Sequence, residues 1–256
     1  MANYVIRRWY DIGLMLAALA IVWLMVGDLG RVQLILVLNF VVLVLHQFEE
    51  MRWPGGSPWI LNEVFNRRDG PADRYPLNQA NCAFINITAW AFYLVPVILP
   101  GAVWLGIAQV LFGMVGQLIV HGVVINIRLK TIYNPGLAAV VLGHVPLGIW
   151  YLVEVNGQGL VNGWDWLFGV LMLAAFVGGI MLRLGYGLMS DKNTRYPLNH
   201  GKRRGGTGSS ISRAPVSPPC RLVPAPARGR CQLSFPKAAG RRHLLVADCG
   251  TAERLV

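Results

Sequence analysis

The sequence predicts an all-α fold: a polytopic transmembrane helix bundle of about six spans, with both ends of the chain in the cytoplasm. Three observations carry this. Of the 256 residues 55% are hydrophobic and only 14% charged, where soluble domains carry about a quarter charged. The apolar residues gather in six runs, each close to the ~20 residues a helix needs to cross a hydrocarbon core of ~30 Å. Basic residues fall on alternate sides of those runs.

The first run covers residues 9–26 and follows Arg7 and Arg8. No small-residue cleavage site follows it and another apolar run begins almost at once, so it reads as a span and not as a cleaved leader. The next runs cover 32–48, 82–99, 103–127, 137–153 and 164–184. Turn chemistry separates them: Gly27-Asp28-Leu29-Gly30, Pro100-Gly101, Asn134-Pro135-Gly136 and Asn156-Gly157. Arg7, Arg8, Arg52, Arg67, Arg68, Arg74, Arg128, Lys130, Lys192, Arg195 and Lys202 flank one set of ends. The other set holds a single basic residue, Arg31, against Asp28, Glu154 and Asp165. The positive-inside rule then puts both termini in the cytoplasm.

The connection over residues 51–80 is longer than a simple turn. Trp53, Trp59, Ile60, Leu61, Val64 and Phe65 predict a short amphipathic helix on the membrane surface. Arg-Tyr-Pro-Leu-Asn occurs twice, at 74–78 and 195–199, and a shared interfacial role is favoured over an inverted duplication. The spans define one domain over residues 1–198. Residues 199–256 are Pro, Gly, Ser and Arg-rich and lack apolar periodicity, so a disordered tail is expected there. Residues 1–189 are nearly neutral and the remainder supplies +10 of the formal net charge of +11. The high basicity therefore argues for no nucleic-acid partner; membrane lipids are the expected partners, and the sequence names no protein partner. Cys82, Cys220, Cys231 and Cys249 match no C-x-x-C spacing.

Ionisable groups inside spans are costly and tend to be functional. His46, Glu49 and Glu50 sit at i, i+3 and i+4, on one face of a helix. His121 shares a face with Gln117, His144 with Tyr151, and Asn86 with Trp90 and Tyr93. At 1.5 Å rise per residue, His46, His121 and His144 lie roughly 9, 10 and 14 Å inside the same boundary. One buried histidine is ordinary packing. Three on three helices at similar depth, with a carboxylate pair, predict a shared polar site. Imidazole and carboxylate donors suit Zn, Fe or Mn. The expected metal set is His46, Glu49, Glu50, His121 and His144, with Glu49 or Glu50 left as general base, and Asn86, Asn126 and Tyr151 around it.

Several segments in order also resemble an uncharacterised membrane family named for its H-x-x-E-E motif. They are His46-Gln47-Phe48-Glu49-Glu50, Arg52-Trp53-Pro54-Gly55-Gly56 and His121-Gly122-Val123-Val124-Ile125-Asn126. Tyr133-Asn134-Pro135-Gly136, His144-Val145-Pro146-Leu147-Gly148, Asp191-Lys192-Asn193 and Tyr196-Pro197 complete the set. The resemblance implies that His46, Glu49, Glu50, His121, Asn126 and His144 belong to the family pattern, and it implies a bacterial plasma membrane. It supplies no substrate. The family pattern ends near residue 197, and the tail departs from it. Two functions are expected to compete: a metal-dependent enzyme, hydrolytic or oxidative, acting on a lipid or apolar substrate; and a proton-coupled transporter or non-catalytic assembly protein.

Overall fold

The computed structural model describes residues 2–65 and 70–198, together with the pairs 231–232 and 246–247. They belong to two units, Met1–Gly208 and Ser209–Val256. In the second, Cys231–Gln232 pairs antiparallel with Val246–Ala247. The expectation of a disordered tail otherwise lies outside the described residues.

The first unit is all-helical: α1 Ala2–Val26, α2 Arg31–Met51, α3 Ser57–Phe65, α4 Gln79–Ile98, α5 Val103–Leu129, α6 Leu137–Gly157 and α7 Gly163–Leu188. All but α3 are long and apolar enough to cross a membrane. Local chemistry sets their starts. Asn78 accepts from the backbone N–H groups of Ala80 and Asn81 while Asn81 answers the N–H of Asn78, and Asn162 and Asp165 repeat the arrangement at α7. The predicted spans are lengthened at the termini. Because α2 runs on to Met51, His46, Glu49 and Glu50 lie on one continuous helix.

The centre of the bundle is α2, packed by α1, α4 and α6, while α5 packs against α7. Trp9 is fully buried with its ring 6.1 Å from that of Trp90. The Trp90 indole donates to Gln47 on α2 at 2.6 Å, and the Gln47 amide donates to the Asn86 carbonyl at 3.2 Å. Phe92 and Phe176 stack at 4.2 Å, with Phe112 edge-on to both. Side chains such as Met15, Leu19, Leu142 and Val153 stay exposed. A belt of this kind suits lipid and would aggregate in water.

Both ends of the helical unit meet at one end of the bundle. The Tyr196 hydroxyl donates to Asn3 at 2.7 Å, and the Gln79 N–H donates to the Tyr196 carbonyl at 2.9 Å. These contacts require an even number of crossings, and they set the two Arg-Tyr-Pro-Leu-Asn segments side by side. The short helix expected after α2 is present as α3. It does not lie free on a surface: Leu61 and Asn62 are buried against the bundle. The Asn62 amide donates to the carbonyls of Ala72 and Leu77 at 2.8 and 2.9 Å and accepts from the Leu77 N–H at 2.8 Å.

Asn62→Ala would leave that N–H and two carbonyls without their partner. The expected cost is about 2–3 kcal/mol, read as a lower thermal midpoint of the detergent-purified protein, with α3 and the 70–77 loop losing hydrogen-exchange protection first.

Candidate metal centre

The His46, His121 and His144 side chains are all but fully buried, and an imidazole placed there must find partners. Each does so through Nδ1. His46 Nδ1 meets the Gly136 carbonyl at 3.0 Å, His121 Nδ1 meets Asn134 Oδ1 at 2.7 Å, and His144 Nδ1 meets Asn39 Oδ1 at 2.6 Å. A carbonyl oxygen only accepts, so His46 and His121 carry a proton on Nδ1. In the neutral ring this leaves the Nε2 lone pair bare, the arrangement that metal-ligating histidines adopt. The Asn39 amide nitrogen has no partner among the described residues, and with that amide turned about it would donate to His144 Nδ1 instead. The Asn134 orientation is dictated by its amide, which donates to the His121 carbonyl at 2.7 Å and to Asn126 Oδ1 at 2.8 Å.

His46 Nε2 lies 3.6 Å from Glu50 Oε2, and His121 Nε2 lies 3.3 Å from Glu50 Oε1. One ligand atom from each of the three residues falls within 4.8 Å of the others. Donors held about 2.0–2.2 Å from a tetrahedral ion lie ~3.3–3.6 Å apart, so the spacing fits a small divalent cation. Ser57 donates to Glu50 Oε1 at 2.9 Å and holds the carboxylate in place.

The two glutamates of the motif diverge. Glu49 Oε1 accepts from the Tyr133 hydroxyl at 2.8 Å and from the Ala138 N–H at 3.2 Å, and its Oε2 accepts from the Ala139 N–H at 2.9 Å. It caps the start of α6, where unpaired N–H groups and the helix dipole favour a carboxylate. Spacing and the resemblance both put Glu49 with the expected ligands and catalytic groups; in the structure its oxygens meet the Tyr133 hydroxyl and the N–H groups of Ala138 and Ala139. His144 stands beside the three-residue group, its ring 5.9 Å from that of His46, with Nε2 free of partners among the described residues. Asn126 supports His121 through Asn134. Asn86 lines the adjacent cavity, and its amide donates to the Cys82 carbonyl at 2.8 Å. Tyr151 is remote: its hydroxyl donates to the Val103 carbonyl at 3.0 Å, at the opposite end of α5.

Gly136 brings these pieces together. Its φ of +107° is one that L side chains rarely adopt, and a Cβ there would fall 2.6 Å from His121 Cε1 and 2.8 Å from His46 Cε1. His121 and His144 both lie in π-helical stretches, Leu118–Ile125 and Val140–His144. Such wide turns are often found at functional sites.

The cluster closes one end of a cavity of about 660 Å³ between α2, α4, α5 and α7, roofed by Pro58 and Leu61 of α3. At their far ends α5 and α7 touch closely, with Gly169 against Ile107 and the Trp104 carbonyl. Nearer the cluster the cavity separates them, and its rim reaches the exposed Val170 and Leu182.

Residues 37–151, which hold the whole cluster, match the family model described as "Protein of unknown function with HXXEE motif". Over those residues the chain is similar to that family. No curated protein and no solved structure matches the chain. The HXXEE segment begins before His46 and closes at Tyr151, a shorter stretch than the resemblance quoted from motifs alone. Sequence reasoning missed Asn39 and Ser57, and it noted Tyr133, Asn134 and Gly136 only as part of a resembling segment, with no role. The last three follow one another beside a proline, and a buried turn facing an H-x-x-E-E helix was the signal available.

Gly136→Ala should cost about 1–3 kcal/mol from backbone strain, with more lost to the collision with both imidazoles, measured as a drop in thermal midpoint. Tyr133 generates a pH effect. Burial first, and then Glu49, push its hydroxyl up from the ordinary 10.0. Above pH ~10 the unfolded chain releases this proton before the folded one does. The stability it contributes is whole below that pH and is lost as the pH rises through the folded value. Between about pH 9 and pH 11 the wild-type thermal midpoint should fall more steeply than that of Tyr133→Phe; equal slopes would remove Tyr133 from the linkage.

Proposed function

We propose that the protein is a metal-dependent membrane enzyme acting on a lipid or other apolar substrate at the cytoplasmic leaflet. The observation that carries this reading is the grouping of His46 and His121 about Glu50. With Nδ1 protonated, each neutral ring turns a bare Nε2 toward that carboxylate, at 3.6 and 3.3 Å. Packing alone gives no reason for two buried lone pairs and a carboxylate to converge. Two imidazoles and one carboxylate are a donor set that leaves coordination positions open, as catalytic zinc sites and the non-haem iron oxygenases do.

A divalent Zn, Fe or Mn ion held there would supply Lewis-acid activation of a water or of a substrate oxygen. The chain's own residues do the rest. His46, His121 and Glu50 bind; Gly136, Asn134 and Ser57 orient them. His144 stands next to the group, its ring 5.9 Å from that of His46, and outside the set whose ligand atoms converge. Glu49 positions the start of α6, and through it the Gly136 carbonyl on His46. The apolar cavity excludes water and admits hydrocarbon. Zinc would serve hydrolysis and iron would serve oxidation, so the identity of the metal selects the reaction. The positive-inside pattern supports a cytoplasmic site and cytoplasmic termini in a bacterial plasma membrane. A proton relay through His46, His121 and Glu50 is the competing reading, favoured by the same short His–Glu distances.

The test is metal content of detergent-purified protein by mass spectrometry. Wild type is expected to hold one Zn, Fe or Mn per chain, His46→Ala and His121→Ala to hold almost none, and Asn134→Ala to bind about 10–100-fold more weakly. Glu49→Gln should retain the metal while losing thermal stability. Folded wild-type protein that takes up no divalent metal would overturn the enzyme reading and leave the relay.

A further inference from the structure

The lining of the cavity is chemically one-sided. Among the residues that form it there is no lysine or arginine, although basic residues crowd this end of the chain. Arg183, next to the rim residue Leu182, is exposed and outside the lining. A phosphate or carboxylate headgroup entering this space would be stripped of water with no cation to receive it, at a cost of several kcal/mol. The single carboxylate in the lining, Glu50, accepts from Ser57 and is the anion of the candidate centre, so a cationic headgroup would have to compete with the metal for it.

What the cavity does offer is neutral hydrogen bonding beside the candidate centre. Gln117 lies one turn before His121, on the same face of α5, and lines the cavity. Its half-buried amide makes no hydrogen bond with the described residues, in contrast to Gln47, which spends its donor on Asn86 and its acceptor on Trp90. An amide carries both a donor and an acceptor, which satisfies a hydroxyl or a carbonyl in full but supplies no charge to balance an ionic group. Gln47 and Asn86 also line the cavity with their amides already bonded, Cys82 and Tyr186 add a thiol and a phenol, and the rest of the wall is largely hydrocarbon, among it Leu43, Ile85, Val120, Leu173 and Val177. The mouth is formed by Val170, Ala174 and Leu182, all exposed on the outer face of a span. In a membrane that face meets acyl chains, so the route in is lateral, between α5 and α7.

We propose that the occupant is a long-chain lipid with an uncharged oxygen headgroup, an alcohol or an aldehyde, which enters from the bilayer and is held by Gln117 beside His121. This rests on the enzyme reading for its purpose, and its binding is separable from the metal.

The test uses the full-length protein in nanodiscs and three 16-carbon probes carrying a mid-chain photoreactive diazirine: the alcohol, its phosphate ester and the trimethylammonium analogue. Labelling is measured with and without chelator. The alcohol is expected to label peptides of α5 and α7 in both conditions, and the charged probes at roughly a tenth of that level or less. Gln117→Leu should reduce alcohol labelling about five- to tenfold, the worth of one neutral hydrogen bond. Ala174→Trp, at an exposed position in the lining, should block the mouth and abolish labelling while leaving the thermal midpoint near that of wild type. Equal labelling by either charged probe, or alcohol labelling that survives Ala174→Trp, overturns the proposal. Labelling as expected in protein that binds no metal would uphold the lipid site and sink the enzyme reading alone.

Discussion

A buried imidazole cannot be left with a bare N–H, and the architecture around the centre follows from satisfying three of them. The Nδ1 partners come from a loop, a neighbouring side chain and the central helix: the Gly136 carbonyl, Asn134 and Asn39. Two of the three belong to the short connection between α5 and α6. That connection must therefore fold back into the bundle instead of looping into solvent, and polar backbone brought inside must itself be paired. Glu49 meets this need by capping the first N–H groups of α6, and Tyr133 closes the carboxylate from the other side. One acidic residue thus holds a helix end while its neighbour in sequence faces the histidines.

The adjacent glutamates show how a helix separates roles by angle. A step of one residue turns the side chain by ~100°, enough to send Glu49 toward α6 and leave Glu50 beside His46 and His121. A motif of two consecutive carboxylates looks like redundancy when read along the chain. In three dimensions it is a structural pin and a candidate ligand, each with its own partners. The glycine that follows the proline of the connection has a similar double duty, since only a residue without Cβ allows its carbonyl to approach one imidazole while the backbone passes the other.

The cavity extends the same logic to the apolar side of the site. α5 and α7 are held together at one end by close packing at Gly169, and small residues of this kind let helices in a bilayer approach without help from the hydrophobic effect. Toward the polar cluster the helices part, and the space there is lined mainly by hydrocarbon, with Gln47, Asn86, Gln117 and Tyr186 in the wall and Glu50, His46 and His121 contributed by the cluster. Polar chemistry at the base and a lipid-facing mouth are two halves of one design, and α3 seals the remaining side.

How much of this was legible in the chain differs by level. Composition and run length sufficed for six spans, because a bilayer imposes a length and a polarity that no tertiary contact can change. The alternation of basic loops carried the even count, and the i, i+3, i+4 spacing of His46, Glu49 and Glu50 marked the helix that bears the site. Equal depth was enough to draw His46, His121 and His144 together. The sequence could not separate Glu49 from Glu50, or place Tyr151 at the far end of α5, because facing depends on the rotation of each helix about its axis. Here π-helical turns at Leu118–Ile125 and Val140–His144 break the 3.6-residue period on which such readings depend. Nor could it give Asn39, Asn134 and Gly136 their roles, which exist only once a loop distant along the chain is folded against α2. The sequence alone determined what must cross the membrane and which ionisable groups it carries; tertiary packing decided which lone pairs face one another, because that depends on contacts between segments some ninety residues apart.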